Sequence, residues 1–408
     1  MLAETLEQIR SQPAKRTAYV RFALAALAAI IALKTLWFAR WGLWDSRSLA
    51  DFDAFHIVAR QVWLGDLDQV YRFASFTKLQ EAAAGGATGA MPWTYPPQFD
   101  LLLAPLAYLP LWGAYLSFTA ATLALYLATL RAIAGDRFAH VLVVVFPALA
   151  ITIGCGQNGF LTGALIGLFC LNAQRRETSS QLLAGLALGA MVIKPHLAIA
   201  ASVYLLATRR WTAVAASAAV VLTSSAICTL TFGPAIWTAL LGSIKESADF
   251  LDRGSYQLFR MISTYAAFYM AGVPAAGAIW AQAIVAMLAL LTVVLAVVRG
   301  PSPAAALGVT AMISVMISPY AYDYDLPMVG VGLVLLLPDL AGIASPRERG
   351  TAYGLILVAG AYGLLQSTTR FGSSAPAVAG LAMMALLALL LKILLRDARQ
   401  LRPSAAPA

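Results

Sequence analysis

Charge is the scarcest property of this 408-residue chain: only 12% of its residues are Asp, Glu, Lys or Arg, against about 25% in a soluble domain. A soluble fold of this length would form two or three domains, and too few charges are present to clothe them. Cysteine is nearly absent. Cys155, Cys170 and Cys228 stand alone with no CxxC spacing, which excludes a disulfide scaffold and reads as three small buried apolar residues. Three histidines are too few for a His-built metal centre. No Walker loop, dinucleotide fingerprint, HExxH pair or Gly-x-Ser-x-Gly elbow occurs, so no nucleotide site or common hydrolase site is indicated. What is abundant is apolar: 61% of the chain, in continuous runs rather than a period-two alternation. That pattern excludes a β-barrel and leaves an all-α, polytopic membrane protein.

A spanning helix needs roughly 20 apolar residues, with a lower limit near 17. Twelve segments are predicted to span: 22–39, 111–131, 138–154, 158–174, 180–194, 195–208, 211–232, 275–298, 303–318, 325–341, 351–367 and 376–395. Several are at or below the limit and are expected to be tilted, extended or broken. Two shorter apolar stretches are expected to be re-entrant or interfacial. Residues 98–109 are interrupted by Pro105, and 262–273 end at Gly272 and Pro274.

The net charge is +9. With both termini in the cytoplasm and the spans alternating, every double-basic loop falls inside: Arg131/Arg137, Arg175/Arg176, Arg209/Arg210 and Arg347/Arg349. The inner side then carries 17 basic residues against seven acids, the outer side ten against twelve. This is the positive-inside distribution. The basic excess therefore reads as loops facing an anionic leaflet and not as a nucleic-acid surface. Residues 1–21 are expected to be a cytoplasmic amphipathic segment leading into a retained first span. The long loops, 40–97 and 233–261, fall outside, and 397–408 form a cytoplasmic tail. No repeat or boundary divides the chain, so 1–408 is expected to be a single transmembrane domain.

Under this topology the unusual polar residues gather at the outer boundary, where ionisable groups are costly and functional by default. Asp51 and Asp53 open an amphipathic helix; each is a helix-capping carboxylate or, for Asp51, a general base. Lys194-Pro195-His196 breaks a helix and offers an ammonium for phosphate, or a snorkelling lysine. Asp323 and Asp325, among Tyr320, Tyr322 and Tyr324, need partners such as Arg260, Lys194 or Arg370. That requirement is met by a structural ion-pair network or by a site. Gly156-Gln157-Asn158-Gly159 either forms a turn or binds sugar hydroxyls.

These motifs, in this order, resemble glycosyltransferase family 87 of the GT-C membrane superfamily. The likeness is carried by Asp51-Phe52 with Phe55, Ala59, Gly65 and Tyr71; by Trp93-x-Tyr95-Pro96-Pro97-x-Phe99 and Pro105-Leu106; and by Gly156-Gln157-Asn158-Gly159. It continues through Lys194-Pro195-His196, Arg260-Met261 with Ser263, and Pro319-Tyr320 with Asp323-Tyr324-Asp325. His56 departs from a more usual aromatic, and Arg260 stands where lysine is also common.

The resemblance implies a GT-C fold in the cytoplasmic (inner) membrane of a prokaryote. It also implies an inverting transfer of a hexose, foremost mannose, from a polyprenyl-phosphate sugar to an acceptor hydroxyl on the outer face. The acceptor, lipid or glycan, does not carry over. Asp51 would be the base, with Asp53 as second choice. Lys194, His196 and Arg260 would meet the donor phosphate. Asp53, His56, Tyr95, Gln157, Asn158, Tyr320, Asp323 and Asp325 would bind sugar or acceptor. No cofactor is required, though a divalent cation is compatible. The spans would bind the polyprenyl tail among membrane lipids, and no nucleic acid is expected. The same fold with another lipid-linked sugar remains open, as does a secondary transporter or lipid flippase, whose signature also includes short broken helices.

Overall fold

The computed structural model describes residues 3–4, 12–40, 49–86, 91–367 and 375–400. Arg370, residues 41–48 of the first outer loop and the tail end 401–408 lie outside the described residues. Within them the chain is all-α, with a single isolated antiparallel bridge between Met261 and Tyr322. It is a polytopic membrane protein. Among the described residues, five stretches are long and apolar enough to cross a bilayer: Pro13–Ala39, Leu111–Cys155, Trp211–Phe232, Ala275–Arg299 and Val378–Arg396. Five further apolar helices are shorter: Gly159–Ala173, Thr178–Ile193, Pro195–Ala207, Pro303–Met316 and Pro327–Ile343.

Each predicted spanning segment coincides with a helix, with shifted ends. The first helix begins at Pro13, nine residues before the predicted start of the span. A proline at the first helical position lacks only an N–H that would be unpaired there, so the helix runs unbroken through Arg16 and Arg21. Arg16 Nη1 reaches Asp136 Oδ1 at 2.6 Å. The two short apolar stretches do not reach spanning length. Residues 98–109 form the helix Pro97–Leu103 and a 3-10 turn, Ala104–Tyr108; residues 262–273 form the helix Thr264–Met270.

Lipid drives no apolar collapse, so helices in a membrane associate through close packing of small residues. The Thr178–Ala190 and Trp211–Phe232 helices meet through Gly185 and Gly189. A Cβ on Gly185 would lie 2.4 Å from the Ala213 carbonyl, and one on Gly189 2.6 Å from Val220 Cβ. Pro303–Ile313 and Pro327–Ile343 cross at Gly308 and Gly332, each of which would collide with the other's carbonyl oxygen. Apolar side chains also face outward: Leu222 and Leu230 on the helix Trp211–Phe232, and Trp280 and Val298 on the helix Ala275–Arg299, are exposed, as suits lipid contact. Glu348 ties the last two helices, accepting from Arg396 at 2.9 Å and lying 3.3 Å from Lys392 Nζ. The Arg396 hydrogen bonds hold its carboxyl down at about 2.

The short helices build the polar centre of the molecule. Helices end or begin where the regular backbone is interrupted: at Gly156–Asn158, at Lys194, and along the run Ser318–Tyr322 before the 3-10 turn Asp323–Asp325. Irregular backbone at membrane depth is tolerated where protein or a cavity surrounds it. These breaks meet one another.

Candidate active site

Asp51 is the first residue of the helix Asp51–Leu64 and is half-buried. The capping role falls to Asp53, whose Oδ2 accepts from the Ala50 N–H at 2.8 Å. A carboxylate at the third helical position can satisfy the backbone there, and this leaves Asp51 with a side-chain partner instead. That partner is Gln157, whose Nε2 donates to Asp51 Oδ2 at 3.1 Å. Gln157 Oε1 in turn accepts from the Tyr95 hydroxyl at 3.0 Å.

The Gly-Gln-Asn-Gly turn can sit here because of its glycines. Gly156 ends the helix Phe138–Cys155 with φ +71°, and a Cβ there would come within 2.7 Å of Phe52 Cβ. Gly159 is tighter still: a Cβ would lie 1.7 Å from the Tyr324 carbonyl oxygen. The turn is thus pressed between the Asp51 helix on one side and the Asp323–Asp325 turn on the other. Asn158 is fully buried, and neither atom of its amide makes a hydrogen bond to the described residues.

Two buried ion pairs flank this turn. Lys194 Nζ lies 2.5 Å from Asp325 Oδ1, and both side chains are almost completely buried. Arg260 forks onto Asp323, with Nη2 at 2.8 Å from Oδ1 and Nε at 3.1 Å from Oδ2. Arg260 Nη2 also donates to Cys155 Sγ at 2.9 Å. Asp325 Oδ2 is engaged by the Tyr322 N–H at 3.2 Å, and the segments carrying Arg260 and Asp323 are clipped together by Ile262 N–H to the Ala321 carbonyl at 3.0 Å. Burial pushes the Asp323 carboxyl above its ordinary value, with the Arg260 guanidinium opposing that rise.

The pairs do not exhaust their cations. An ammonium has three N–H groups and a guanidinium five, so Lys194 and Arg260 can each donate to a further anion. The Tyr95 and Tyr324 rings lie 6.0 and 4.9 Å from Lys194 Nζ. Tyr322 and Tyr324 stack at 5.2 Å, with Arg260 5.8 Å from each. His196 follows Lys194 by two residues, and its Nε2 is buried without a hydrogen-bond partner among the described residues.

Of the residues singled out in the sequence, Asp51, Tyr95, Gln157, Asn158, Lys194, Arg260, Asp323 and Asp325 are joined by this one network of contacts. Others have separate partners. His56 Nε2 donates to the Leu109 carbonyl at 3.0 Å. Tyr320 packs on Tyr256 at 6.0 Å, and its N–H donates to Ser318 Oγ at 3.1 Å.

Sequence reasoning misses Asp100, the end of the Trp-x-Tyr-Pro-Pro-x-Phe-Asp run. It is fully buried and accepts from Tyr71 at 2.6 Å and from Trp93 Nε1 at 3.0 Å. Burial pushes its carboxyl up to about 7. An acid seven residues after Trp93, at the head of the apolar run 101–107, is the signal that could have found it. All three cysteines are buried and free, as their isolation in apolar runs suggests. Cys155 is more than an apolar filler, however, because it also touches Arg260.

The fold and the site define a class: a polytopic helical membrane protein with a buried, ion-paired polar centre where broken helices meet. A family model, glycosyltransferase family 87, matches residues 93–319, more than half of the chain. The chain belongs to glycosyltransferase family 87 and is a membrane glycosyltransferase. The matched stretch carries Tyr95, Gln157, Asn158, Lys194, His196 and Arg260. Asp51, Asp323 and Asp325 lie outside it and reach the site through contacts. Comparison with curated proteins and with solved structures returned no match.

Proposed function

We propose that this chain transfers a hexose, foremost mannose, from a polyprenyl-phosphate sugar to an acceptor hydroxyl, with Asp51 as general base and inversion at the anomeric carbon. The observation that carries the reading is the geometry at Asp51. A half-buried carboxylate is aimed by Gln157 Nε2 at 3.1 Å, and the same turn adjoins two cations with spare donors. One such side takes a proton; the other meets a leaving phosphate.

In the transfer, Asp51 removes the proton of the acceptor hydroxyl as its oxygen attacks the anomeric carbon. The bond from that carbon to the phosphate oxygen breaks, and the electron pair leaves with polyprenyl phosphate. The proton stays on Asp51 until it exchanges with water. Lys194, Arg260 and His196 stabilise the charge that grows on the phosphate, which is strongest where water is excluded. Asp325 and Asp323 hold the two cations in place beforehand, so no reorganisation is needed during the step. Asn158 and Gln157 orient sugar hydroxyls. The GT-C fold, the inner membrane of a prokaryotic cell, cytoplasmic termini and an outward-facing site belong to the same proposal, supported by the inside excess of basic residues. A divalent cation is not needed to balance the phosphate, and among the described residues no group of three or more His, Cys, Asp or Glu could hold one.

The test is release of labelled product in membranes that contain the chain and native acceptors. Polyprenyl-phosphate-mannose is supplied, with the glucose and arabinose analogues in parallel. Transfer from mannose supports the full reading. Transfer from another sugar alone replaces mannose and keeps the mechanism. Transport of the intact lipid across the bilayer, without any bond breaking, contradicts the proposal.

A further inference from the structure

Asp100 is a buried carboxylate whose partners are two neutral donors, the Tyr71 hydroxyl at 2.6 Å and Trp93 Nε1 at 3.0 Å. A fully buried acid held by neutral groups is an expensive arrangement that an apolar core residue would avoid. Both donors bear on the same neighbour. The Tyr71 hydroxyl also lies 2.9 Å from the Tyr95 carbonyl oxygen, and the Trp93 ring sits 4.8 Å from the Tyr95 ring. Phe99 closes the other side, 4.7 Å from Tyr95. Pro96 and Pro97 start the next helix, so Tyr95 stands at a rigid corner and is fixed from three sides.

Tyr95 fixes where the Gln157 amide sits. Its hydroxyl donates to Gln157 Oε1, while Nε2 donates to Asp51. The amide's two ends are nearly isosteric but opposite in hydrogen-bond sense. Reversed, Gln157 would present an oxygen to the Asp51 carboxylate and push it away. The acceptor-only Asp51 carboxylate therefore sets the sense of the amide, Tyr95 holds the amide in place, and Tyr95 is held by the Asp100 cluster.

We propose that Asp100 is a positioning residue for Asp51, acting through Tyr71, Tyr95 and the placement of the Gln157 amide. The inference rests on the reading of Asp51 as the base. Asp100 touches neither substrate nor the reacting atoms.

The experiment measures donor turnover with polyprenyl-phosphate-mannose, or with whichever polyprenyl-phosphate sugar the wild type uses. It compares wild type, Tyr71→Phe, Asp100→Asn, the double variant, and Asp51→Asn as reference. Misplacing a reacting group by about 1 Å costs on the order of 100-fold. Tyr71→Phe and Asp100→Asn are thus expected to lower kcat by about 10-fold to 100-fold, with donor KM within about twofold of wild type. The double variant should be no worse than the poorer single, because both break one linkage. Wild-type kcat in either single, with Asp51→Asn inactive, overturns the positioning role; so does a loss confined to KM. Full activity in Asp51→Asn overturns the reading of the base and this inference with it. Tyr71→Phe removes one oxygen and keeps the ring, so it carries the test if Asp100→Asn fails to fold.

Discussion

Gln157 and Asp51, 106 residues apart in the chain, are joined by a single hydrogen bond of 3.1 Å from the amide Nε2 to the carboxylate Oδ2. The bond links the Gly-Gln-Asn-Gly turn to the first residue of an amphipathic helix. Gln157→Leu removes it without changing side-chain size much. Transfer is expected to fall on the order of 10-fold to 100-fold, with protein yield kept and the thermal midpoint lowered only modestly, since the two side-chain hydrogen bonds lost, to Asp51 and from Tyr95, contribute about 2 kcal/mol together. Gln157→Glu is expected to be worse, because it sets two carboxylates against each other.

The Lys194–Asp325 pair gives a distinctive pattern. Breaking a buried pair by removing one partner costs about 3–5 kcal/mol, because a charge is left buried and uncompensated. Asp325→Ala and Lys194→Ala are each expected to lower the thermal midpoint. The double replacement Lys194→Met with Asp325→Leu should recover much of that stability while remaining inactive. Thermal unfolding in detergent, followed beside the transfer assay, separates the two effects. A stable and active double variant would remove Lys194 from the mechanism.

Gly159→Ala tests how tightly the turn is pressed. The added methyl would sit 1.7 Å from the Tyr324 carbonyl, so backbone must move and the Asp323–Asp325 turn with it. Overpacking of this kind costs about 1–3 kcal/mol. Activity is expected to drop sharply in Gly159→Ala and to survive in Gly242→Ala, where nothing lies within 4 Å. The check is transfer per unit of folded protein.

Asp100 makes stability depend on pH. Its carboxyl, ordinarily at 3.8, is pushed up to about 7 by burial. Between those values the folded chain keeps a proton that the unfolded chain has released. Stability tied to this group is therefore greatest below about pH 4 and declines as pH rises toward 7. Asp100→Asn should flatten that part of the thermal midpoint profile. An unchanged slope in the variant would mean that Asp100 titrates normally.

The helices are legible in the sequence because the bilayer imposes a length and a composition on each span, and apolar runs such as 211–232 and 275–298 coincide with helices to within a residue. Their ends are less so. Pro13 begins a helix that polarity alone places later, because helix propensity and the proline continue through Arg16 and Arg21. The need of Asp323 and Asp325 for basic partners is legible from cost alone. Which partner each takes is not: Arg260 finds Asp323 and Lys194 finds Asp325 only through tertiary packing. Asp53 and Asp51 are two residues apart in sequence, and only the helix start, with Ala50 N–H on Asp53, separates a cap from the carboxylate that meets Gln157. Asp100 escapes notice because a short helix after two prolines looks like membrane anchorage, and the donors that single it out come from Tyr71 and Trp93.

Asp51 is where the proposed mechanism is tested most directly. Membranes containing wild type or Asp51→Asn at equal abundance are given radiolabelled polyprenyl-phosphate-mannose, and label reaching the acceptor is measured over time. The proposed mechanism predicts transfer by wild type and a loss of at least about 100-fold in Asp51→Asn, the range of general base catalysis, with donor binding kept. Transfer by Asp51→Asn at the wild-type rate would contradict it.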